Sequence, residues 1–153
     1  MKFVRLALKM SPLLLLSACV HTPSWDDNHR STLSSLVEQE QYAYKRQSTL
    51  IKSNGSLDEV VSLSDSALSS ASSMQRECEN VRPNHRMWMD CMDLSKISIK
   101  IAAEMKISAA KYAASQGNKA VAKSQYRDVV TTFTGQSYTS YVKQAEFGLE
   151  DLK

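Results

Sequence analysis

From about His85 to Gln116 the chain carries neither glycine nor proline, and apolar side chains return every three or four residues at Met92, Leu94, Ile97, Ile101, Met105, Ala109 and Tyr112. That recurrence matches the turn of an α-helix and stacks these side chains in one stripe. Ile97, Ile99 and Ile101 also alternate as a strand would, but the alanines and lysines around them favour helix. The whole chain has only 4 glycines and 3 prolines in 153 residues, too few for the many tight turns of a sandwich or barrel. We expect an all-α single domain, a small helical bundle or short helical stack of about five helices.

The remaining segments read the same way. A first helix is expected to start between Thr32 and Ser35, with Ser35-x-x-Glu38 as a capping box, and to end at Asn54-Gly55. Its inward line is patchy: Leu33, Leu36, Val37, Glu40, Tyr44 and Leu50-Ile51. Ser56-x-x-Glu59 is a second capping box, opening a helix with Leu57, Val60, Val61, Leu68, Ala71 and Met74 at helical spacing. Serine crowds residues 62–73 of this segment. Serine is a mediocre helix former, so the stretch reads as a helix with a small-residue face or as a flexible linker. Gly117-Asn118 closes the third helix. A fourth is expected from about Asn118 to Thr134, with Ala122, Tyr126, Val129, Val130 and Phe133 inward. Gly135 stops it, and Ser137 is expected to cap a fifth that turns Tyr138, Tyr141, Val142, Ala145, Leu149 and Leu152 inward.

The N-terminus has a different character. Lys2, Arg5 and Lys9 make a basic head, Leu13-Leu14-Leu15-Leu16 an apolar core, and Ser17 and Ala18 the small residues before Cys19. This is the pattern of a secretory signal over residues 1–18. The run Leu16-Ser17-Ala18-Cys19 resembles the bacterial lipobox. The resemblance implies cleavage before Cys19, a diacylglycerol on its sulfur and an acylated amine. Several acyl chains anchor a protein stably at a membrane surface. Val20 follows, not the Asp that usually keeps such lipoproteins in the inner membrane, so the resemblance implies the outer membrane and a domain in the periplasm. Residues 19–30 hold Pro23, two Asp and Asn28 without periodicity and read as a lipidated tether, or as an arm packed through Trp25. The domain proper is expected over 31–153. No other apolar run is long enough to span a bilayer, which excludes a polytopic membrane protein.

Removing the signal takes three cations with it and leaves Lys plus Arg equal in number to Asp plus Glu. A neutral domain lacks the basic face that nucleic acid requires, so that partner class is set aside. With Cys19 carrying lipid, Cys78 and Cys91 remain as a pair in an oxidising compartment. Asn80 and Arg82-Pro83-Asn84 between them read as a turn, so a disulfide would clamp a helical hairpin. A metal site with His85 is short of the four ligands zinc prefers, and a redox pair usually has Cys-x-x-Cys spacing.

Within 106–152, Ala110, Gly117, Ala122 and Tyr126, followed by Tyr138 and Ala145, resemble tetratricopeptide-type repeats. Tyr126-Arg127-Asp128-Val129-Val130-Thr131-Thr132-Phe133 is similar to the second helix of such repeats in outer-membrane assembly lipoproteins. The resemblance implies closely packed helix pairs with an aromatic filling the gap above small residues. Lys106 and Ala113 depart from it, standing where the motif carries large apolar residues, and Thr134 and Gly135 stand where proline is usual.

Catalytic patterns are missing. His21 and His29 lie in the tether, and His85 lies at the turn beside Cys91. There is no Gly-x-Ser-x-Gly, phosphate loop, His-Glu-x-x-His or calcium loop. Acidic pairs such as Asp58-Glu59 and Glu150-Asp151 fall near helix ends, the usual place for them. No metal, small-molecule substrate or cofactor beyond the lipid is expected, and a peptidoglycan-cleaving enzyme would lack its acid and base. Two features read either as partner surfaces or as packing: the soft apolar cluster Met87-Trp88-Met89 and Met92, and the ladder of Tyr138, Tyr141 and Ser137 to Ser140; Trp88, Met92, Tyr126 and Tyr138 are the candidates for a partner-binding groove. The expectation is a non-enzymatic envelope lipoprotein that holds a protein partner, as an assembly factor, secretin pilot or complex accessory. The alternative is an inhibitor or exclusion lipoprotein that neutralises a toxin or an incoming secretion or conjugation apparatus.

Overall fold

The computed structural model describes the backbone of residues 25–81 and 85–153, and side chains at 29–81 and 86–153. The signal segment, Cys19, residues 20–24 and the expected turn at Arg82-Pro83-Asn84 lie outside the described residues. Five α-helices follow one another: α1 (Trp25–Lys52), α2 (Leu57–Asn80), α3 (His85–Ser115), α4 (Lys119–Thr132) and α5 (Thr139–Asp151). One 3-10 turn, Gln136–Tyr138, precedes α5, and no strand occurs among the described residues.

The punctuation is local chemistry. Asn54 takes the left-handed conformation at φ 53° and ends α1, while the Gly55 amide returns to the Leu50 carbonyl at 2.8 Å. The Ser56 hydroxyl accepts from the Glu59 amide and starts α2. Gly117 is left-handed at φ 78°, and the Asn118 side chain accepts from the Val121 amide at 3.2 Å to start α4. The serine-rich stretch is helical throughout, with Ser64, Ala67 and Ala71 buried against α3 and α4 rather than forming a linker.

Three expectations need correction. The first helix starts at Trp25, so Ser35 lies inside it and residues 25–30 are helix, not tether. Within these extra turns Arg30 reaches Asp90 of α3 at 3.7 Å, and just after them Leu33 and Val37 pack into the cluster around the cysteines. Ser137 does not cap α5; it is exposed in the 3-10 turn, and Tyr138 stands at the cap without a side-chain bond. Ile97 is 43% exposed, whereas Ser98 and Ile99 beside it are buried.

The last discrepancy reflects the position of α3, which packs against α1, α2, α4 and α5. Ala102, Ala103, Met105, Ile107, Ala109 and Ala110 are all buried in its C-terminal half, so no single stripe describes its inside. The small size of the four alanines lets several helices approach the same cylinder. At the other end Cys78 of α2 and Cys91 of α3 form the expected disulfide, with Cα atoms 5.4 Å apart.

Candidate interaction surface

Helix lengths create the surface. α3 has 31 residues while α4 has 14 and α5 has 13. At 1.5 Å per residue the α4–α5 pair covers about 20 Å of a helix about 46 Å long. Beneath the pair, Ala103, Ile107 and Ala110 of α3 are buried. Toward the disulfide, the same side of α3 carries Ile99, Lys96, Met92 and Trp88 by helical period. Ile99 is still buried, Met92 and Trp88 are half-buried, and Lys96 is exposed. Exposure peaks at Lys96, just past the end of α4, and falls again toward Met92, which packs against the disulfide cluster.

Where the α4–α5 pair stops, a small cleft of about 50 Å³ opens to solvent. Leu68, Ala71, Ser72 and Gln75 of α2 form one wall and Ile99 of α3 the other. Thr132, Phe133, Thr134 and Tyr138 close the end. Gly135, at φ 130°, turns the chain after α4 so that the Tyr138 ring comes to 6.2 Å from the Phe133 ring.

A polar latch seats α4 beside this cleft. Lys106 of α3 is almost fully buried and its ammonium donates to Asp65 of α2 and, at 2.6 Å, to Asp128 of α4. Both carboxylates reach solvent at their outer side. Buried Gln125 donates to Asp65 at 3.3 Å and accepts from the Ser64 hydroxyl at 2.9 Å. Every charge in this cluster has an opposite neighbour, as a buried cation requires. On the far side of α3, Tyr141 of α5 donates to Glu104 at 3.2 Å. Burial and the Glu104 carboxylate hold the Tyr141 and Tyr44 phenols above their ordinary range, keeping them protonated donors.

Three of the four candidate partner residues lie on or along the open line: Tyr138 at the end of the cleft, Met92 and Trp88 further along α3. Tyr126 does not. It is 5% exposed, and its ring lies where a Cβ on Gly148 of α5 would sit, within 2.3 Å. It is a packing residue between α4 and α5, with its phenol pushed up by burial and then by Asp151. Leu68, Ile99 and Phe133 complete the cleft and were absent from the sequence-based candidates. Phe133 was legible only as an inward position, and Ile99 falls outside the stripe that spacing alone suggests. Nothing local marks Lys106 as buried except its place in a helix line that wants an apolar residue. Among the described residues no group of three His, Cys, Asp or Glu is placed to hold a metal ion, and no helix is long and apolar enough to cross a membrane. What the arrangement offers chemically is a small cleft whose exposed lining is mostly polar, from hydroxyl and amide groups, beside the apolar side chains of Leu68, Ile99 and Phe133. No family model, curated protein or solved structure matches this chain.

Proposed function

We propose that this chain is a lipoprotein anchored in the outer membrane through Cys19, with its helical domain in the periplasm, acting there as a non-catalytic protein-interaction module. The observation that carries the reading is that, among the described residues, Trp88 and Met92 of α3 are half-buried beyond the end of α4, and Tyr138 is half-buried at the end of the adjoining cleft. Such half-buried aromatic and thioether side chains suit a protein partner. The Cys78–Cys91 disulfide supports an oxidising compartment, and Leu16-Ser17-Ala18-Cys19 supports the anchor. The lipid would confine the domain to a surface and raise the local concentration of an envelope partner, the mode of action of an assembly factor, secretin pilot or complex accessory.

Crosslinking and affinity recovery of the lipidated protein from its own outer membrane tests this, with Cys19→Ala as the unanchored control. One dominant envelope protein, depleted at least tenfold in the control, is the expected result. Recovery of no envelope partner overturns the reading in favour of an inhibitor or exclusion protein whose target arrives only during an attack.

A further inference from the structure

Resting on the Cys19 anchor proposed above, we infer that the disulfide end of the bundle lies against the lipid surface, with Met89 and Arg86 of α3 at the headgroups, and that the far ends of α1 and α3 point away from it. Covalent reach sets the orientation. Trp25, where α1 begins, stands six residues after Cys19. At no more than about 3.5 Å per residue, the start of α1 lies within about 21 Å of the lipidated cysteine. α1 has 28 residues. Its length is therefore about 42 Å. Inverting the bundle, so that Lys52 met the membrane, would carry Trp25 about twice as far as the chain can reach. The end held near the lipid is the one where Arg30 of α1 meets Asp90 of α3, and where Cys78 of α2 is bonded to Cys91 of α3.

The side chains at that end suit a headgroup layer. Among the described residues the exposed large apolar side chains are Tyr42, Met89, Ile97 and Phe147, spread over α1, α3 and α5. Met89 lies about 6 Å along α3 from its start, against about 18 Å for Ile97, and Tyr42 lies about 26 Å along α1 from Trp25. Met89 is 43% exposed, and its unbranched thioether adapts to an irregular surface. Arg86, exposed and three residues before it, neighbours it on the helix and can extend its guanidinium to the phosphates. The other charges are mixed: Arg76 shares this end with Glu77, Glu79 and Asp93, and Arg30 is paired with Asp90. A surface drawn to anionic lipid needs a cluster of cations alone. Here the tether supplies the local concentration, so the contact does not require anionic lipid. Trp88 and Met92 lie within about 11 Å of the same end, so a protein partner that uses them is met at the membrane.

The test reconstitutes the full lipidated chain in vesicles of phosphatidylcholine and phosphatidylethanolamine, which carry no net charge. Photoreactive benzoylphenylalanine replaces one exposed residue at a time: Met89 or Arg86 at the near end, and Lys119 at the start of α4 as the distal position. Phospholipid attached to the protein after illumination is measured by mass spectrometry, and the intact mass before illumination reads the lipid on Cys19. The expected result is about tenfold more phospholipid attached from Met89 and from Arg86 than from Lys119. Equal attachment from the three positions, or more from Lys119, overturns the orientation. Attachment from none of them in a protein whose Cys19 is lipidated shows that this end stands off the membrane, and refutes the inference while the anchor holds. An unmodified Cys19 refutes the anchor, and the inference with it.

Discussion

α1 and α4 both seat on α3 through buried polar groups, yet the two seats are built differently. Under α4 the buried cation Lys106 has two carboxylates, and Gln125 joins Ser64 to Asp65. Under α1 the buried ionisable group is Glu40, 4% exposed, which accepts from the Ser98 hydroxyl at 2.7 Å and has no cation among its partners. Its second oxygen is buried and unpartnered. Gln47 does more for α1, donating to the Val60 carbonyl at 3.0 Å and the Met105 carbonyl at 3.2 Å and so joining α1 to both α2 and α3. A closed charge cluster specifies one seat for α4. A buried carboxyl without a counter-charge makes the α1 seat sensitive to its own protonation.

The largest expected effect comes from opening the closed seat. Asp65→Asn combined with Asp128→Asn strands the Lys106 ammonium and should cost about 3–5 kcal/mol in chemical denaturation. Lys106→Met, which removes the charge while keeping the volume, should cost far less. Equal losses in the two variants would mean that packing, and not pairing, holds α4.

Next in size is the disulfide. Cys78→Ser with Cys91→Ser should lower stability by about 3 kcal/mol and speed amide exchange first at the disulfide end of α1, where Leu33 and Val37 pack on that cluster. Faster exchange confined to α4 and α5 would reverse the ranking of the two seats.

A Cβ at Gly148 would meet the Tyr126 ring between 2.3 and 2.7 Å. Gly148→Ala should therefore cost about 1–3 kcal/mol by overpacking α5 against α4, partly offset by the better helix former. A thermal shift upward would show that the ring moves aside freely.

The smallest effect concerns Glu40. Burial holds its carboxyl above the ordinary range, opposed by hydroxyl bonds from Ser70 and Ser98. The folded value lies above the unfolded one, so the full stability is present below the unfolded value. It declines as pH rises from there through the folded value, then levels. Glu40→Gln should remove that decline. Denaturation midpoints of the two proteins, measured from pH 4 to pH 8, should diverge across that window, and parallel curves would assign the pH dependence to another group.

Much of this architecture is legible locally. Asn54-Gly55, Ser56, Gly117-Asn118 and Gly135 stand at the helix boundaries because caps and left-handed turns are decided within a few residues. The start of α1 at Trp25 is not: in its first turns Arg30 meets Asp90 of α3, far away in sequence. Tyr126 reads as inward from its helical spacing, but that it packs on Gly148 of α5 and is closed to a partner is seen only in the tertiary structure.

By itself, then, the sequence determined the number and order of the helices and the pair of cysteines able to join α2 to α3. Short-range backbone preferences and the helical period suffice for that. Tertiary structure alone decided how much of α3 is inside. Burial depends on how many neighbours a helix has, and α3 has four at one end and two at the other. That inequality turns Lys106 inward beneath the α4–α5 pair, leaves Ile97 outside, and keeps Met92 and Trp88 half open beyond the point where α4 stops.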